Sequence, residues 1–333
     1  MIILQNLKID KMKKSLLWLL ALALISTTTF TSCDDDGDGD MPDPDPVTIV
    51  SFAANSDNYT TLAAAVQAAG LETALSGTGP FTVFAPDNDA FQALLDSNPD
   101  WNGLDDIPQE VLTAVLTNHV VSGEVTSAQL MSGYYTTLSA TGFGDANVSL
   151  YVNLDNGVTL NGGPQVVAAD NEVSNGVIHG VDAVIMPANI VTFATSNPAL
   201  STLVAALTRA DLSTDFVAAL NGDGPFTVFA PSNDAFAALL DSNPDWNSLD
   251  DIPAATLEAV LSYHVSAAGN VRSGDLMDQM EVPTLAENQS LQIDLSNPDQ
   301  PQVVAANSTA NIVAVDIQGT NGVVHVIDTV LLP

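Results

Sequence analysis

Gly79-Pro80-Phe81-Thr82-Val83-Phe84-Ala85-Pro86-Asp87-Asn88-Asp89-Ala90-Phe91 opens a stretch that runs on to Pro108. The same stretch returns as residues 224–253, with Ser232 for Asp87, Ala237 for Gln92 and Ser248 for Gly103. The offset is 145 residues, and His119 maps onto His264 at that offset. Further on, Asn175-Gly176-Val177-Ile178-His179 returns as Asn321-Gly322-Val323-Val324-His325 at an offset of 146. A single net insertion separates the copies, so both halves should share one fold. A period this long exceeds any solenoid unit and reads as tandem domains.

One copy read outward from that stretch predicts the architecture. Leu62 and Val66 within Thr61–Ala69 keep helical spacing, repeated by Leu200, Leu203, Val204 and Leu207. Phe81–Ala85 and Phe226–Ala230 are short, apolar and β-prone, and Pro86 and Pro231 stop them. A helix follows, with Asp87 or Asn88, and Ser232 or Asn233, as candidate N-caps. Its apolar face carries Phe91, Leu94 and Leu95, mirrored by Phe236, Leu239 and Leu240. Asn98-Pro99-Asp100 and Asn243-Pro244-Asp245 read as turns. Pro108 and Pro253 are placed at the first position of the next helix, which turns Val111, Leu112, Val115 and Leu116 inward.

The back of each copy is rich in strands. Residues 148–154, 157–160, 165–170 and 177–186 alternate with Gly and Asn turns in the first copy. Residues 290–295, 302–306, 312–317 and 323–332 do so in the second. Helices first and strands after, without regular alternation, predict an α+β fold. Domain bounds of 47–187 and 188–333 follow.

The N-terminus is of another kind. Lys8, Lys11, Lys13 and Lys14 precede an apolar run from Leu16 to Ile25, too short for a membrane span, and then small polar residues. This reads as a signal peptide over residues 1–32, starting at Met1 or Met12. The single cysteine, Cys33, follows it. Phe30-Thr31-Ser32-Cys33 resembles a lipoprotein cleavage box, which makes Cys33 the expected lipidation site. Residues 33–46 then form an acidic, proline-rich tether that cannot bury a core. An acidic run at that place resembles the surface-export signal of Bacteroidetes-type lipoproteins. The expected location is therefore the outer membrane, anchored by lipid and exposed at the cell surface.

Formal net charge is −34, and beyond Lys14 the only basic residues are Arg209 and Arg272. That composition argues against nucleic acid, whose phosphates need cations. It also disfavours bare anionic lipid, leaving the lipid anchor as the membrane contact.

The histidines fall two to a copy: His119 with His179, and His264 with His325. No His-x-x-x-His or Glu-x-x-His spacing accompanies them, and the cysteine lies in the leader, so no metal is expected. No Gly-x-Ser-x-Gly elbow or phosphate-binding glycine loop appears, and nothing in the sequence orders Ser, His and Asp into a triad. Neither catalysis nor a cofactor is expected. Asp182 and Asp328 are expected to accept hydrogen bonds from backbone or from the nearby histidine. His264 is expected to cap or fill the helix end near Leu257, Val260 and Leu261.

These motifs together resemble the fasciclin-like domain family. Its Thr-x-Phe-Ala-Pro-x-Asn-x-Ala-Phe signature is similar to Thr82–Phe91 and Thr227–Phe236. Its Asn-Gly-x-x-His-x-x-Asp signature is similar to Asn175–Pro187 and Asn321–Pro333. A Tyr-His pair between them is matched by Tyr263-His264, and by Asn118-His119 without the aromatic ring. The resemblance covers about residues 47–333. It implies domains of interwoven β-sheets flanked by several helices, and a role in cell adhesion or matrix contact. The candidate interaction and motif residues are Asn118, His119, His179, Asp182, Tyr263, His264, His325 and Asp328. The implied partners are extracellular polysaccharide, matrix or surface proteins, or another copy of the chain. A structural or accessory envelope lipoprotein that docks protein partners is the alternative.

A lysine-free acidic surface repels itself, and salt screens that repulsion. The melting temperature is therefore expected to rise with added sodium chloride. Such a surface suits saline surroundings, and equal melting temperatures at low and high salt would contradict that expectation.

Overall fold

The computed structural model describes residues 46–333. The signal segment, Cys33 and the acidic tether lie outside the described residues. The first copy runs α1 (Ile49–Asn55), α2 (Thr60–Ala68), α3 (Glu72–Leu75), β1 (Phe81–Pro86), α4 (Asn88–Ser97) and α5 (Gln109–Asn118). It continues with β2 (Val120–Ser122), β3 (Gly133–Thr136), β4 (Ser149–Asn153), β5 (Thr159–Leu160), β6 (Val166–Val173) and β7 (Gly176–Val181). The second copy repeats that order: α6 (Ile190–Ser196), α7 (Ser201–Leu207), α8 (Phe216–Leu220), β8 (Phe226–Pro231), α9 (Asn233–Asp241) and α10 (Ala254–Tyr263). Its strands are β9 (Val265–Ser266), β10 (Glu281–Pro283), β11 (Ser290–Asp294), β12 (Gln302–Val304), β13 (Thr309–Gly319) and β14 (Gly322–Ile327). The architecture is α+β, helices before strands in each copy.

The first and last strands of each copy pair in parallel. Phe81 faces Gly176 and Pro86 faces Val181 in one, and Phe226 faces Gly322 and Pro231 faces Ile327 in the other. Strand β7 is buried along its whole length and β1 along nearly all of it, as a parallel pair covered on both sides requires. Helices α1, α2, α4 and α5 pack over one side with a core that includes Ile49, Leu62, Phe91, Leu112 and Ile178. Phe84, Leu150, Val152, Leu160 and Ile185 fill a second core on the strand-rich side.

The copies differ in how the strands join. In the second, seven strands form one sheet in the order β10-β11-β12-β13-β14-β8-β9. In the first, the equivalent strands separate into β2-β1-β7-β6 and β3-β4-β5. A single bridge, Thr159 to Gln165, remains where β12 and β13 make a full ladder. Several expected bounds also shift. Residues 177–186 were expected as one strand, but β7 ends at Val181, and β14 likewise ends at Ile327. Pro108 and Pro253 have extended ψ near 134° and sit one place before α5 and α10 rather than inside them. Short strands β2, β3, β9 and β10 carry too few residues for an alternating pattern to show.

One side chain closes each domain. Asn175, in the two-residue turn between β6 and β7, is buried. Its Oδ1 accepts from the Ile49 amide at 3.0 Å, and its Nδ2 donates to the carbonyls of Leu75 and Gly77 at 2.8 and 2.9 Å. Its own carbonyl accepts from Phe81 at 3.0 Å. Asn321 repeats every contact, with Ile190, Leu220, Gly222 and Phe226. The next residue must be glycine: a Cβ on Gly176 would lie 1.9 Å from the Phe81 carbonyl oxygen, and one on Gly322 2.4 Å from that of Phe226.

The two domains touch through side chains. Tyr151 of β4 joins the main core of the second domain, which holds Phe193, Leu200, Phe236 and Leu261. Its hydroxyl donates to Asn197 Oδ1 at 3.2 Å, and Asn197 Nδ2 donates to the Tyr134 hydroxyl at 3.1 Å. Tyr134 stands edge-on to Phe193, with centroids 5.6 Å apart. Burial of this phenol raises its pKa to about 12. The Gln318 amide donates to Ser149 Oγ at 3.0 Å, in a fully buried contact.

Replacing Asn175 with Ala leaves the buried Ile49 amide and Leu75 carbonyl, and the part-buried Gly77 carbonyl, without this partner. Each variant, Asn175→Ala or Asn321→Ala, is expected to lose roughly 2–4 kcal/mol in urea unfolding. A loss within the range of an ordinary surface substitution would show that water takes over these bonds.

Candidate functional site

The signature residues prove to be stitches between segments. Asp87, not Asn88, caps α4, accepting from the Ala90 amide at 2.8 Å, and Ser232 caps α9 likewise. Asn88 instead reaches back to α2. Its Oδ1 accepts from the Thr61 amide at 2.9 Å, and its Nδ2 donates to the Asp57 carbonyl at 2.8 Å. Asn233 does the same with Thr202 and Pro198. Buried Thr82 donates to the Gly123 carbonyl and accepts from the Val125 amide, as Thr227 does with Gly269 and Val271.

All four histidines are buried, and they form two kinds of clamp. His119, at the end of α5, donates from Nδ1 to the Val115 carbonyl at 2.7 Å, and its Nε2 accepts from the Ile185 amide at 2.9 Å. His264 repeats this with Val260 and Leu331. Each ring thus ties a helix end to the last segment of its domain. A neutral ring with its proton on Nδ1 satisfies both bonds. Burial lowers the pKa of both rings to about 4, against the partial upward pull of the carbonyl each one bonds. His179 and His325 use the opposite tautomer, with Nε2 donating to the Val125 and Val271 carbonyls at 2.9 Å. Burial lowers the pKa of His325 as well.

Asp182 and Asp328 do not face these histidines. Asp182 accepts from the Gln165 amide at 2.7 Å, and Asp328 from the Asn311 amide at 2.8 Å. The carboxylates beside the rings are Asp170 and Asp316, both in left-handed backbone at φ 58° where β6 and β13 bulge. Asp170 Oδ1 lies 3.8 Å from His179 Nδ1. Ser127 donates its hydroxyl to Asp170 and Ser273 donates to Asp316, with the serine amides bonding the same carboxylates at 2.7 Å. These bonds hold the Asp170 carboxyl below its usual range.

Serine, aspartate and histidine therefore do meet, once in each domain, in a way the sequence spacing did not reveal. The only hint was that Ser127, Asp170 and His179 recur together as Ser273, Asp316 and His325. Their order is wrong for nucleophilic catalysis, because the hydroxyl bonds the carboxylate and no base faces it. The set pins the loop after β2, or after β9, onto the bulge. Among the described residues, no three His, Cys, Asp or Glu side chains gather closely enough to hold a metal.

The Tyr-His neighbourhood faces inward. Tyr263 is buried, donating to the Ser290 carbonyl at 3.1 Å and accepting from the Ala306 amide at 3.3 Å. Asn118 is buried too. Its Nδ2 donates to the Ile185 carbonyl at 3.0 Å, while its Oδ1 finds no partner. Of the eight candidate residues, six are thus buried, Asp182 is exposed and Asp328 half-buried. A partner docking on this surface meets none of the histidine rings. Each domain also has an apolar crevice among its first helices. In the second domain this is a cavity of about 110 Å³ lined by Ile190, Leu203, Leu207 and Leu220; in the first it is about 20 Å³.

Fold and stitches together define a duplicated α+β module in which signature residues bind the chain to itself. The fasciclin domain profile matches residues 57–187 and 198–333, and the chain belongs to the fasciclin domain family. The chain is 43% identical over 141 residues to protein sll1483 of a Synechocystis strain, covering 42% of this chain and 74% of that protein. Transforming growth factor-beta-induced protein ig-h3 of Sus scrofa is 29% identical over 276 residues, 78% of this chain and 35% of that one. Human periostin is 27% identical over 273 residues, 80% of this chain and 30% of that one. The chain thus spans about a third of the length of these two animal proteins. A solved FAS1 domain pair from the insect cell adhesion molecule fasciclin I shares the fold. Its TM-score is 0.51 at 19% identity, over 82% of this chain and 97% of that one.

The histidine clamps carry a pH signature. The folded rings of His119 and His264 titrate near 4 and the unfolded ones near 6.5, so the unfolded chain binds more protons between those values. Stability is expected to fall as the pH drops through that window, by up to roughly 1.4 kcal/mol per pH unit per ring, and to level below it. Carboxylates held low by hydrogen bonds, such as Asp170, weaken only at lower pH still. His119→Gln with His264→Gln should be less stable at neutral pH but show a shallower slope in urea titrations between pH 7 and about 4. An unchanged slope would assign the dependence to other groups.

Proposed function

We propose that this chain is a non-catalytic adhesive protein, carried on the cell surface by a lipid on Cys33 and holding its paired domains away from the membrane on the acidic tether. Family membership supports the adhesive part, since fasciclin domains are associated with cell adhesion and matrix contact. The observation that carries the reading is the pairing itself. Tyr134, Tyr151, Asn197 and Phe193 join the two domains through an aromatic and hydrogen-bonded seam. A joined pair presents a defined composite surface, and many copies on one cell make weak contacts additive through effective concentration. No single helix among the described residues is long and apolar enough to cross a membrane.

Deleting the gene in the native host is expected to reduce surface attachment and cell aggregation severalfold. Re-expression of the full chain should restore both, whereas Cys33→Ala should release the protein into the medium and fail to restore them. Unchanged attachment and aggregation in the deletion strain would overturn the adhesive reading. One stoichiometric protein co-purifying from solubilised membranes would then favour the accessory envelope role.

A further inference from the structure

Where the domains meet they leave a cleft of about 680 Å³ with walls from both. The segment after β3 contributes Asp145 and Asn147. The second domain contributes Arg272, Asp275 and Asp316, and the buried Gln318 lines the cleft as well. The size falls within the roughly 300–1,000 Å³ of small-molecule sites, but the lining is hydrophilic where such sites are usually apolar.

Several observations narrow what it takes. Gln318 is fixed in advance: its side-chain amide exchanges bonds with Asn270 at 3.1 Å, and its Nε2 donates to the carbonyls of Gly319 and Gly322 at 2.9 and 3.1 Å. A pre-ordered lining lowers the entropy lost on binding. Arg209 has its guanidinium committed to Asp211 and to the carbonyls of Leu249 and Ile252. Arg272, by contrast, lines the cleft with its side chain half exposed and its Nε 3.8 Å from Asp275. Three carboxylates against one guanidinium make the cleft negative, which repels anions. The scarcity of apolar lining disfavours a hydrophobic side chain. A row of neutral hydroxyls suits it: each donates to a carboxylate and accepts from a guanidinium or amide N–H.

We infer that the interdomain cleft is a binding site for a neutral glycan segment, with Arg272, Asp145 and Asn147 as its hydrogen-bonding groups. This rests on the adhesive reading and gives that reading a ligand class and a place. Neither domain alone has both walls. In the first domain Thr126 stands at the position of Arg272, so among the described residues the site occurs once.

Calorimetric titration of the full chain with neutral glucan, mannan and galactan oligosaccharides tests this, with uronic-acid and sulfated oligosaccharides as the charged comparison. At least one neutral series is expected to bind, with affinity little changed by salt. Arg272→Ala should weaken it roughly tenfold, and Gly274→Phe should abolish it by filling the cleft. Gly274 is exposed with open space around it, so the larger side chain fits the fold. Asn147→Ala gives a second variant should Gly274→Phe fail to fold, and exposed Asp299→Asn should bind like the parent. Binding of charged glycans only, no glycan binding, or neutral binding that survives Arg272→Ala and Asn147→Ala would overturn the inference. So would a protein ligand displaced by Gly274→Phe when no glycan binds. If no neutral glycan binds yet gene deletion still abolishes attachment, the cleft inference fails and the adhesive reading stands. If the cleft binds glycan but deletion leaves attachment intact, the adhesive reading fails instead.

Discussion

The buried amide of Asn175, and its copy in Asn321, is the constraint on which each domain depends. It gathers the start of the first helix, the end of the third and the opening of β1 or β8 at one point. The residues it joins are 126 and 100 positions away in sequence. Nothing else in the domain satisfies those backbone groups, and in a dry interior an unmet amide or carbonyl is costly. The glycine after it lets the last strand come close enough to lie beside the first. A parallel pair of strands from opposite ends of a domain then forms the spine, and the remaining elements pack against it.

The same economy explains the other repeated polar residues. Thr82, Asn88, His119 and His179 each join segments distant in sequence, and each has a counterpart making the same bonds in the second copy. Repetition of a residue in two tandem domains thus marks a stitch as readily as a ligand contact. What differs between the copies is where function can lie. Tyr263 reaches Ser290 and Ala306 and ties the strands of the second sheet together, whereas Asn118 reaches only Ile185. Arg272 replaces Thr126, and the surface around it faces the other domain.

That pairing converts two similar modules into one asymmetric object. The sheet of β3, β4 and β5, joined to its own domain by a shared core and isolated bridges, also rests on the first helix of the next through Tyr134 and Tyr151. The fasciclin I domain pair shows the same overall fold at low identity. A composite cleft arises only from this contact, and its chemistry belongs to neither copy by itself.

The duplication, the order of helices before strands, the strand that ends at Pro86 and the helix it feeds were all legible in the sequence. Their signals are local: spacing of apolar residues and a proline stop. The short strands β2, β3, β9 and β10 were not legible, because two to four residues carry no period. Nor could Asp87 and Asn88 be told apart, since both suit an N-cap and only the neighbouring helix shows that Asn88 serves α2. Asp182 and Asp328 sit near the histidines in sequence, but alternation along the strand and a bulge bring Asp170 and Asp316 to the rings instead. By itself the sequence determined that there are two copies of an α+β domain and which residues they share, because repetition and periodicity are properties of a line of residues. Only the tertiary structure decided that the shared polar residues point inward and that the domains meet at a seam beside an open cleft, because burial and juxtaposition depend on contacts between residues far apart along the chain.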